Sequence, residues 1–182
     1  MEPAAKIENI LVLIEPAGDY QEELQRRFPE SQLLFSSPGR VTEEEIEKAD
    51  VILGNPPAGL LKGAERLSFL QLQSAGADAY TPKGILPEKT LLACASGAYG
   101  PAVSEHMMAS LLSVYKNLPL YRDNQAARLW KCEGAVRSLR GEQVLVLGLG
   151  DIGKEFARLT VAFGASVFGV KRNLSEKPDF VQ

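Results

Sequence analysis

The sequence contains few cysteines and histidines, the residues that form disulfides and bind zinc. Two cysteines, Cys94 and Cys132, occur among 182 residues, together with a single histidine, His106. Two cysteines are too few for a disulfide framework, so we expect reduced thiols and a cytoplasmic location. The spacing of these residues also matches no zinc-ligand pattern, and we predict no metal site.

The chain also lacks a large net charge and a long apolar run. Its formal net charge is −3, with 45% hydrophobic and 24% charged residues, which is typical of a globular protein. This balance gives no reason to expect nucleic acid or a membrane surface as a partner. The early apolar run Ile10–Ile14 is too short for a signal peptide or a membrane span, and it indicates a strand.

Strand and helix patterns alternate through the first hundred residues. Apolar runs predict strands at 9–15, 32–35, 51–54, 69–73 and 91–95. Helical spacing predicts a helix over 20–28, and Thr42 with Glu45 forms a capping-box pattern that opens another over 42–50. This alternation predicts an α/β domain over 1–99 with a flavodoxin-like parallel sheet.

A domain boundary is predicted near Gly100-Pro101, so the second domain spans 100–182. A long amphipathic helix begins at Ala102, with one apolar stripe formed by Val103, Met107, Leu111, Val114 and Leu118. A second helix is predicted over 120–129. It leads through Trp130 to an apolar strand over 143–148.

Three glycines follow that strand with the spacing G-x-G-x-x-G. In the predicted roles, Gly148 allows a tight turn, Gly150 lets a pyrophosphate approach the backbone, and Gly153 lets the next helix pack close to the strand. The N–H groups of Asp151 and Ile152, at the helix start, would face the phosphates. A second strand over 166–170 completes a βαβ context, which favours a dinucleotide site over a glycine-rich turn without a ligand.

The end of the second strand predicts which dinucleotide binds. Sites specific for NAD place a carboxylate about 20 residues after the glycines to hold the ribose hydroxyls. Here the strand is followed by Lys171, Arg172 and Asn173, which would instead attract a 2′-phosphate. We therefore predict that NADP is preferred and NAD is possible. The alternative interpretation is a solvated basic strand end.

Three segments resemble the D-isomer-specific 2-hydroxyacid dehydrogenases. LRGEQVLVLGLGDIG is similar to the entry of that family into its cofactor domain, and LQLQSAGADAY to a loop of its substrate domain. CASGAYGPAVSEHMMASLLSVYKNLP resembles the segment that carries a V-A-E-H motif, with Ser104 in place of the usual alanine. The resemblance implies a flavodoxin-like substrate domain followed by the first βαβ unit of a Rossmann NAD(P)-binding domain.

The resemblance also implies roles for individual residues. Ala75 and Gly76 match positions whose backbone N–H groups bind the substrate carboxylate, although a plain βα turn is the alternative. Val103 matches a position near the nicotinamide, or else is a core residue of its helix. Trp130 matches an arm that packs against a second subunit, or else lies in a buried core, so a homodimer through 102–135 is expected.

The catalytic groups of the family find no match here. Members transfer hydride between nicotinamide and the C2 carbon of a 2-oxo acid, with an arginine to bind the acid and a histidine–glutamate pair to supply the proton. All three lie beyond the second strand of the cofactor domain in the family pattern. His106 and Glu105 match the V-A-E-H motif instead, so we predict no catalytic residue in this chain.

The two strands of the second domain are expected to be buried on both faces, which one crossover helix cannot achieve. We therefore expect a fragment, or half of a protein that another polypeptide completes. The first hypothesis is an NAD(P)-dependent reductase of a small 2-oxo acid, such as glyoxylate or hydroxypyruvate, that is inactive as this isolated chain. The alternatives are a nucleotide-sensing or partner-binding module without turnover, and an inert remnant.

Overall fold

The structure is a computed structural model that describes residues 7–15, 19–173 and 177–182. The chain divides into two compact units between Ser96 and Gly97. The assignment of a substrate-binding role to 1–99 and a cofactor-binding role to 100–182 stays a prediction.

Five parallel strands form the sheet of the first unit: β1 (Asn9–Val12), β2 (Gln32–Phe35), β3 (Val51–Leu53), β4 (Phe69–Gln71) and β5 (Leu91–Ala93). Their spatial order is β2-β1-β3-β4-β5, with the order reversing between β1 and β3. The helices are α1 (Tyr20–Arg27) and α2 (Glu43–Lys48), and Ala58–Gly63 forms a 3₁₀ segment. This strand order is that of the flavodoxin-like fold, and the predicted fold class is confirmed.

Alternate residues of β1 are buried on opposite faces of the sheet. Leu11 and Leu13 join one core cluster, whereas Ile10 and Val12 join another. The continuous apolar run of β1 is therefore explained by burial on both faces. The predicted capping box is confirmed, because the Thr42 hydroxyl accepts from Glu45 N–H and the Glu45 carboxylate accepts from Thr42 N–H at 2.8 Å.

Asp50 lies immediately before β3 and binds the start of β1. Its carboxylate accepts from the backbone N–H groups of Glu8 and Asn9, both at 2.9 Å, and from the Arg66 guanidinium. Burial alone would raise the pKa of the Asp50 carboxyl. The two backbone donors and Arg66 outweigh burial, so this pKa lies below its ordinary value of 3.8.

The second unit contains α3 (Gly100–Tyr115), α4 (Leu118–Ala126), β6 (Gln143–Leu147), α5 (Asp151–Ala162) and β7 (Ser166–Val170). β6 and β7 pair in parallel and α5 connects them, which confirms the predicted βαβ unit. Their core cluster includes Val146, Phe156, Val167 and Met108, the last contributed by α3. Val181 is buried in the same cluster, next to Gln182, whose N–H donates to the Val167 carbonyl at 2.8 Å.

In the described residues only one face of β6 and β7 is buried, as expected for two strands with a single crossover helix. Val146 and Val167 face the core, whereas Leu145, Leu147, Phe168 and Val170 are exposed. The register pairs Leu145 with Phe168 and Leu147 with Val170, so the exposed side chains share one face of the sheet. α5 covers only the opposite face, because a single crossover helix packs on one side.

The predicted apolar stripe of α3 is wrong in its orientation. Val103, Met107 and Val114 are exposed, whereas Ser104 and Met108 are buried. Helical periodicity allowed a helix, but several apolar residues lie around its circumference, and packing against α5 selects which of them are buried. The helix also ends earlier than expected, since Asn117 takes a left-handed φ of 55° before α4 begins.

Candidate functional site

The glycine turn between β6 and α5 depends on two close backbone approaches. Gly148 has a φ of +100°, which favours glycine, and its N–H donates to the Val170 carbonyl at 2.8 Å. A Cβ atom on Gly153 would lie 2.0 Å from the Gly148 carbonyl oxygen. Any side chain at Gly153 would therefore push α5 away from the turn.

Gly150 differs from Gly153 because the space beside it is open. A Cβ atom at this position would meet nothing within 4 Å, so the missing side chain leaves open space beside the backbone. A group of atoms can therefore approach the backbone closely here. This is the geometry that a pyrophosphate requires at the second glycine of the motif.

The N-terminus of α5 provides donors beside that open space. Its hydrogen-bonding ladder starts with Lys154 N–H, which donates to the Gly150 carbonyl at 3.0 Å. The N–H groups of Asp151, Ile152 and Gly153 precede this bond and have no acceptor within the helix. Together with the helix dipole they favour an anion, so the turn fits a dinucleotide phosphate.

The Asp151 side chain would repel a phosphate if it pointed into the turn. Instead its carboxylate lies against Gly100, where a Cβ atom would be 3.0 Å from each carboxylate oxygen. Gly100 begins α3, so the carboxylate lies at the positive end of a second helix dipole. The absence of a side chain at Gly100 makes room for this arrangement.

Basic residues follow β7 next to the glycine turn. Val170 accepts from Gly148 N–H, and Lys171, Arg172 and Asn173 come directly after it, all three exposed. The structure thus brings the predicted phosphate-binding turn and the predicted 2′-phosphate residues to the same edge of the two-stranded sheet. The role of each of these residues stays a prediction.

Val103 is 36% exposed on α3, one turn before Met107. Met107 lines an open cavity of about 330 Å³ with Leu147, Gly148, Ile152 and other residues of the βαβ unit. Val103 does not lie on the buried face of its helix, and its position near a nicotinamide stays a prediction.

The loop after β4 carries the predicted carboxylate-binding positions. Ala75 and Gly76 are exposed, and in the part of the chain that the structure describes neither N–H group donates a hydrogen bond. The loop follows the carboxyl end of β4, next to the end of β3, where ligands bind in open α/β sheets. Two free N–H groups in succession suit a carboxylate.

Asn55, two residues after β3, was not identified as a site residue from the sequence, which shows it only as the start of Asn55-Pro56-Pro57 after a predicted strand. Its side chain accepts from the N–H groups of Gln73 and Ser74 at 2.9 and 3.3 Å, and donates to the Ser74 hydroxyl at 2.8 Å. No spacing rule links an asparagine to a loop eighteen residues later. Only the parallel pairing of β3 with β4 brings them together.

Trp130 is fully exposed, so its interpretation as a core residue is wrong. The arm around it is nevertheless ordered by Glu133, whose carboxylate accepts from Asn124 at 2.6 Å and from Lys131. The hydrogen bond from Asn124 and the charge of Lys131 lower the pKa of Glu133. An open cavity of about 650 Å³ lies beside Trp130, with Tyr121 in its lining.

His106 and Glu105 are exposed on α3, and neither lines the cavity at the glycine turn. Ser104, which replaces the alanine of the V-A-E-H motif, is buried, and its hydroxyl donates to the Pro101 carbonyl at 2.9 Å. Among the described residues, no group of three or more histidine, cysteine or carboxylate side chains could hold a metal ion. No helix in the described ranges is long and apolar enough to cross a membrane.

The parallel βαβ unit and its glycine turn have the form found at the start of NAD(P)-binding domains of the dehydrogenase type. Comparison with known proteins gives the family to which this unit is similar. A model of the NAD binding domain of the D-isomer specific 2-hydroxyacid dehydrogenases matches residues 108–181, so this segment is similar to that domain. The predicted family resemblance is confirmed. Members of the family are oxidoreductases that act on CH–OH groups.

Solved structures extend the likeness to both units. A D-isomer specific 2-hydroxyacid dehydrogenase family protein from Aeromonas salmonicida is similar with 29% identity and a TM-score of 0.79, covering 96% of this chain and 57% of that one. D-lactate dehydrogenase from Aquifex aeolicus, complexed with NAD and lactic acid, has 24% identity and a TM-score of 0.77 over 93% and 53% of the two chains.

An acyclic imino acid reductase in complex with NADPH and D-Arg shares the fold at 16% identity, with a TM-score of 0.79 over 96% and 59% of the two chains. The present chain therefore spans somewhat more than half the length of each of these structures.

Proposed function

We propose that this chain supplies the cofactor-binding turn and the carboxylate-binding loop of an NADP-preferring reductase of small 2-oxo acids. The observation that carries the proposal is the glycine turn itself. Open space at Gly150, and N–H groups at the start of α5 that have no acceptor within the helix, lie beside a strand end with two basic residues.

The cofactor preference rests on charge. Lys171 and Arg172 would form charge-assisted hydrogen bonds with a 2′-phosphate, whereas NAD-specific sites use a carboxylate at this place. Similar folds bind either cofactor, because the Aquifex aeolicus structure contains NAD and the imino acid reductase contains NADPH. The basic pair is the feature of this chain that favours NADP.

The substrate class rests on the loop after β4. Free N–H groups at Ala75 and Gly76 suit the carboxylate of a small acid without a side-chain charge. Glyoxylate and hydroxypyruvate are the proposed substrates. They are small 2-oxo acids that such a loop would hold by the carboxylate.

Turnover requires groups that this chain does not contain. None of its arginines matches the catalytic arginine of the family, and its single histidine lies exposed on α3. We propose that further polypeptide supplies the arginine and the histidine–glutamate pair, and that the isolated chain binds its ligands without reducing them. A homodimer through 102–135 is part of the same proposal.

A nucleotide-sensing module without turnover is the second candidate. It is favoured because His106, the single histidine, is exposed and does not line the cavity at the glycine turn. Both candidates predict that the isolated chain binds NADPH and that glyoxylate does not oxidise it, as followed at the nicotinamide absorbance band. Robust turnover by the isolated chain would contradict the assignment of catalysis to other residues. Turnover only by a longer polypeptide would favour the reductase.

The cofactor proposal is tested by calorimetric titration of the chain with NADPH and NADH. We expect NADPH to bind about tenfold more tightly, the size of one charge-assisted contact. Arg172→Glu should remove this preference by repelling the 2′-phosphate. Arg40→Glu, which makes the same charge change at an exposed site of the first unit, should retain it. Tighter binding of NADH by the unaltered chain would contradict the proposal.

A further inference from the structure

The loop that carries Ala75 and Gly76 is held by one side chain from a neighbouring strand end. Asn55 Oδ1 accepts from Gln73 N–H at 2.9 Å and from Ser74 N–H at 3.3 Å. Asn55 Nδ2 donates to Ser74 Oγ at 2.8 Å. Because two backbone donors reach the same atom, that atom is the amide oxygen, and the orientation of the amide group is determined.

The network continues into the loop itself. Ser74 Oγ accepts from Asn55, and its hydroxyl donates to the Gly76 carbonyl at 2.8 Å. This bond turns the Gly76 carbonyl oxygen toward Ser74. A carbonyl that pointed at an incoming carboxylate would repel it, so the bond removes one source of repulsion.

The network also divides the N–H groups of the loop into two pairs. Those of Gln73 and Ser74 are directed to Asn55, whereas those of Ala75 and Gly76 have no acceptor among the described residues. The Ser74 carbonyl accepts from Ala95 N–H at 2.9 Å, which attaches the loop to the segment after β5 as well. The backbone before Ala75 and Gly76 is therefore held by Asn55 on one side and by Ala95 on the other.

Asparagine is suited to this position by its chemistry. One amide group can accept two N–H bonds and still donate to a hydroxyl, which leaves the hydroxyl proton for the Gly76 carbonyl. An aspartate would accept the N–H groups but would compete for that proton and add a negative charge near an anion site. An aliphatic residue would remove the acceptor that the Gln73 and Ser74 N–H groups share.

We propose that Asn55 is the positioning residue of the substrate loop, acting through Ser74 to keep the Ala75 and Gly76 N–H groups directed at a carboxylate. This inference rests on the proposed function, because it requires that the loop binds the acid. Asn55 itself contacts no substrate in this account. Its removal should weaken binding of the acid and leave binding of the dinucleotide unchanged.

The test follows backbone amide signals of the whole chain by nuclear magnetic resonance during titration with glyoxylate. In the unaltered chain, the Ala75 and Gly76 signals should shift most. In Asn55→Ala the dissociation constant for glyoxylate should rise about tenfold, as expected for loss of a hydrogen bond that orders the site. The dissociation constant for NADPH should stay within twofold of its original value, which a general loss of structure would not allow.

Serine variants provide matched controls and an independent measurement. Ser74→Ala should weaken glyoxylate binding, and Ser74→Thr should restore it, because threonine keeps the hydroxyl. Ser31→Ala removes a comparable side-chain bond, from Ser31 Oγ to the Ile7 carbonyl at 2.9 Å, and should leave binding unchanged. Should Asn55→Ala fail to fold, this serine series decides the question.

The outcomes separate the two proposals. If glyoxylate does not shift Ala75 and Gly76 in the unaltered chain, the substrate proposal fails and the role of Asn55 fails with it. If the shifts occur but Asn55→Ala and Ser74→Ala keep the original dissociation constant, the role of Asn55 alone is overturned.

Discussion

Two glycines of the same turn have different physical roles. A Cβ atom at Gly153 would collide with the Gly148 carbonyl oxygen, whereas a Cβ atom at Gly150 would enter open space. Gly153 therefore serves the packing of α5 against β6, whereas Gly150 leaves room for the proposed dinucleotide. Substitution can separate these roles, because a side chain at Gly153 would affect folding of the chain, whereas one at Gly150 would affect only binding of the proposed dinucleotide.

We expect Gly153→Ala to lower the free energy of unfolding by about 1–3 kcal/mol, because the added carbon overpacks the turn. Gly150→Ala should change the free energy of unfolding by less than about 1 kcal/mol, since a φ of −81° suits any residue. It should nevertheless weaken NADPH binding. Urea unfolding and calorimetry measure the two effects, and equal loss of stability in both variants would contradict the division of roles.

At the scale of elements, one buried aspartate connects the starts of three strands through its carboxylate and its backbone carbonyl. Asp50 precedes β3 and accepts from the N–H groups at the start of β1. Its carbonyl accepts from the Ser68 hydroxyl, immediately before β4, at 2.9 Å. The amino ends of these strands are thus held together, opposite the edge that carries the substrate loop.

This arrangement predicts a pH-dependent stability. The pKa of Asp50 is lowered by folding, so its contribution is fully present above the ordinary value of 3.8 and is lost as the pH falls through the lower folded value. Asp50→Asn should therefore destabilise the chain by about 1–3 kcal/mol at pH 7. The difference from the unaltered chain should shrink below pH 3.8.

Chemical denaturation at a series of pH values measures this difference. Glu30→Gln, which removes an exposed carboxylate for which no hydrogen bond is found among the described residues, is a suitable control. If the stability difference between Asp50→Asn and the unaltered chain does not depend on pH, the charge of the Asp50 carboxylate does not contribute to stability.

At the scale of the whole molecule, the most exposed large hydrophobic side chain among the described residues belongs to an arm held by several hydrogen bonds. Trp130 is fully exposed, although Glu133 holds the arm through Asn124, Lys131 and the Asn117 side chain, which donates to the Glu133 carbonyl. An exposed tryptophan beside a cavity is typical of an anchor at a protein interface. This supports the proposed homodimer through 102–135.

If the homodimer forms, Trp130→Ala should raise its dissociation constant about thirtyfold, as expected for an interface anchor. Analytical ultracentrifugation measures the constant. Trp130 is the single tryptophan, so its fluorescence should also shift on dilution of the unaltered chain. Phe28→Ala, which removes an exposed aromatic ring from the first unit, should leave the constant unchanged. A monomeric unaltered chain would contradict the homodimer.

Local patterns predicted most of the elements correctly. Gln32–Phe35 and Ser166–Val170 have the predicted bounds, and the capping box at Thr42 forms as expected. These features depend on a few neighbouring residues, so the sequence contains the information directly. The 3₁₀ segment Ala58–Gly63 was not predicted, because the preceding residues Asn55-Pro56-Pro57 indicate only the end of a strand.

Predictions that depended on packing partners succeeded less often. Periodicity indicated that α3 is amphipathic, but its contact with α5 buried Ser104 and Met108 rather than Val103 and Met107. The apolar runs of β6 and β7 suit burial on both faces, but α5 covers only one face, and Leu145 and Phe168 on the other face are exposed. A sequence pattern specifies what a residue prefers, and only the neighbours determine whether that preference is met.

The sequence by itself determined the parallel α/β class, the glycine turn and the basic strand end, because each depends on residue types at short spacing. Only the tertiary structure placed Asn55 against Gln73 and Ser74 and turned the Asp151 carboxylate toward Gly100. These contacts join residues 18 to 51 positions apart along the chain. Strand pairing and helix packing create such contacts, and no local pattern encodes them.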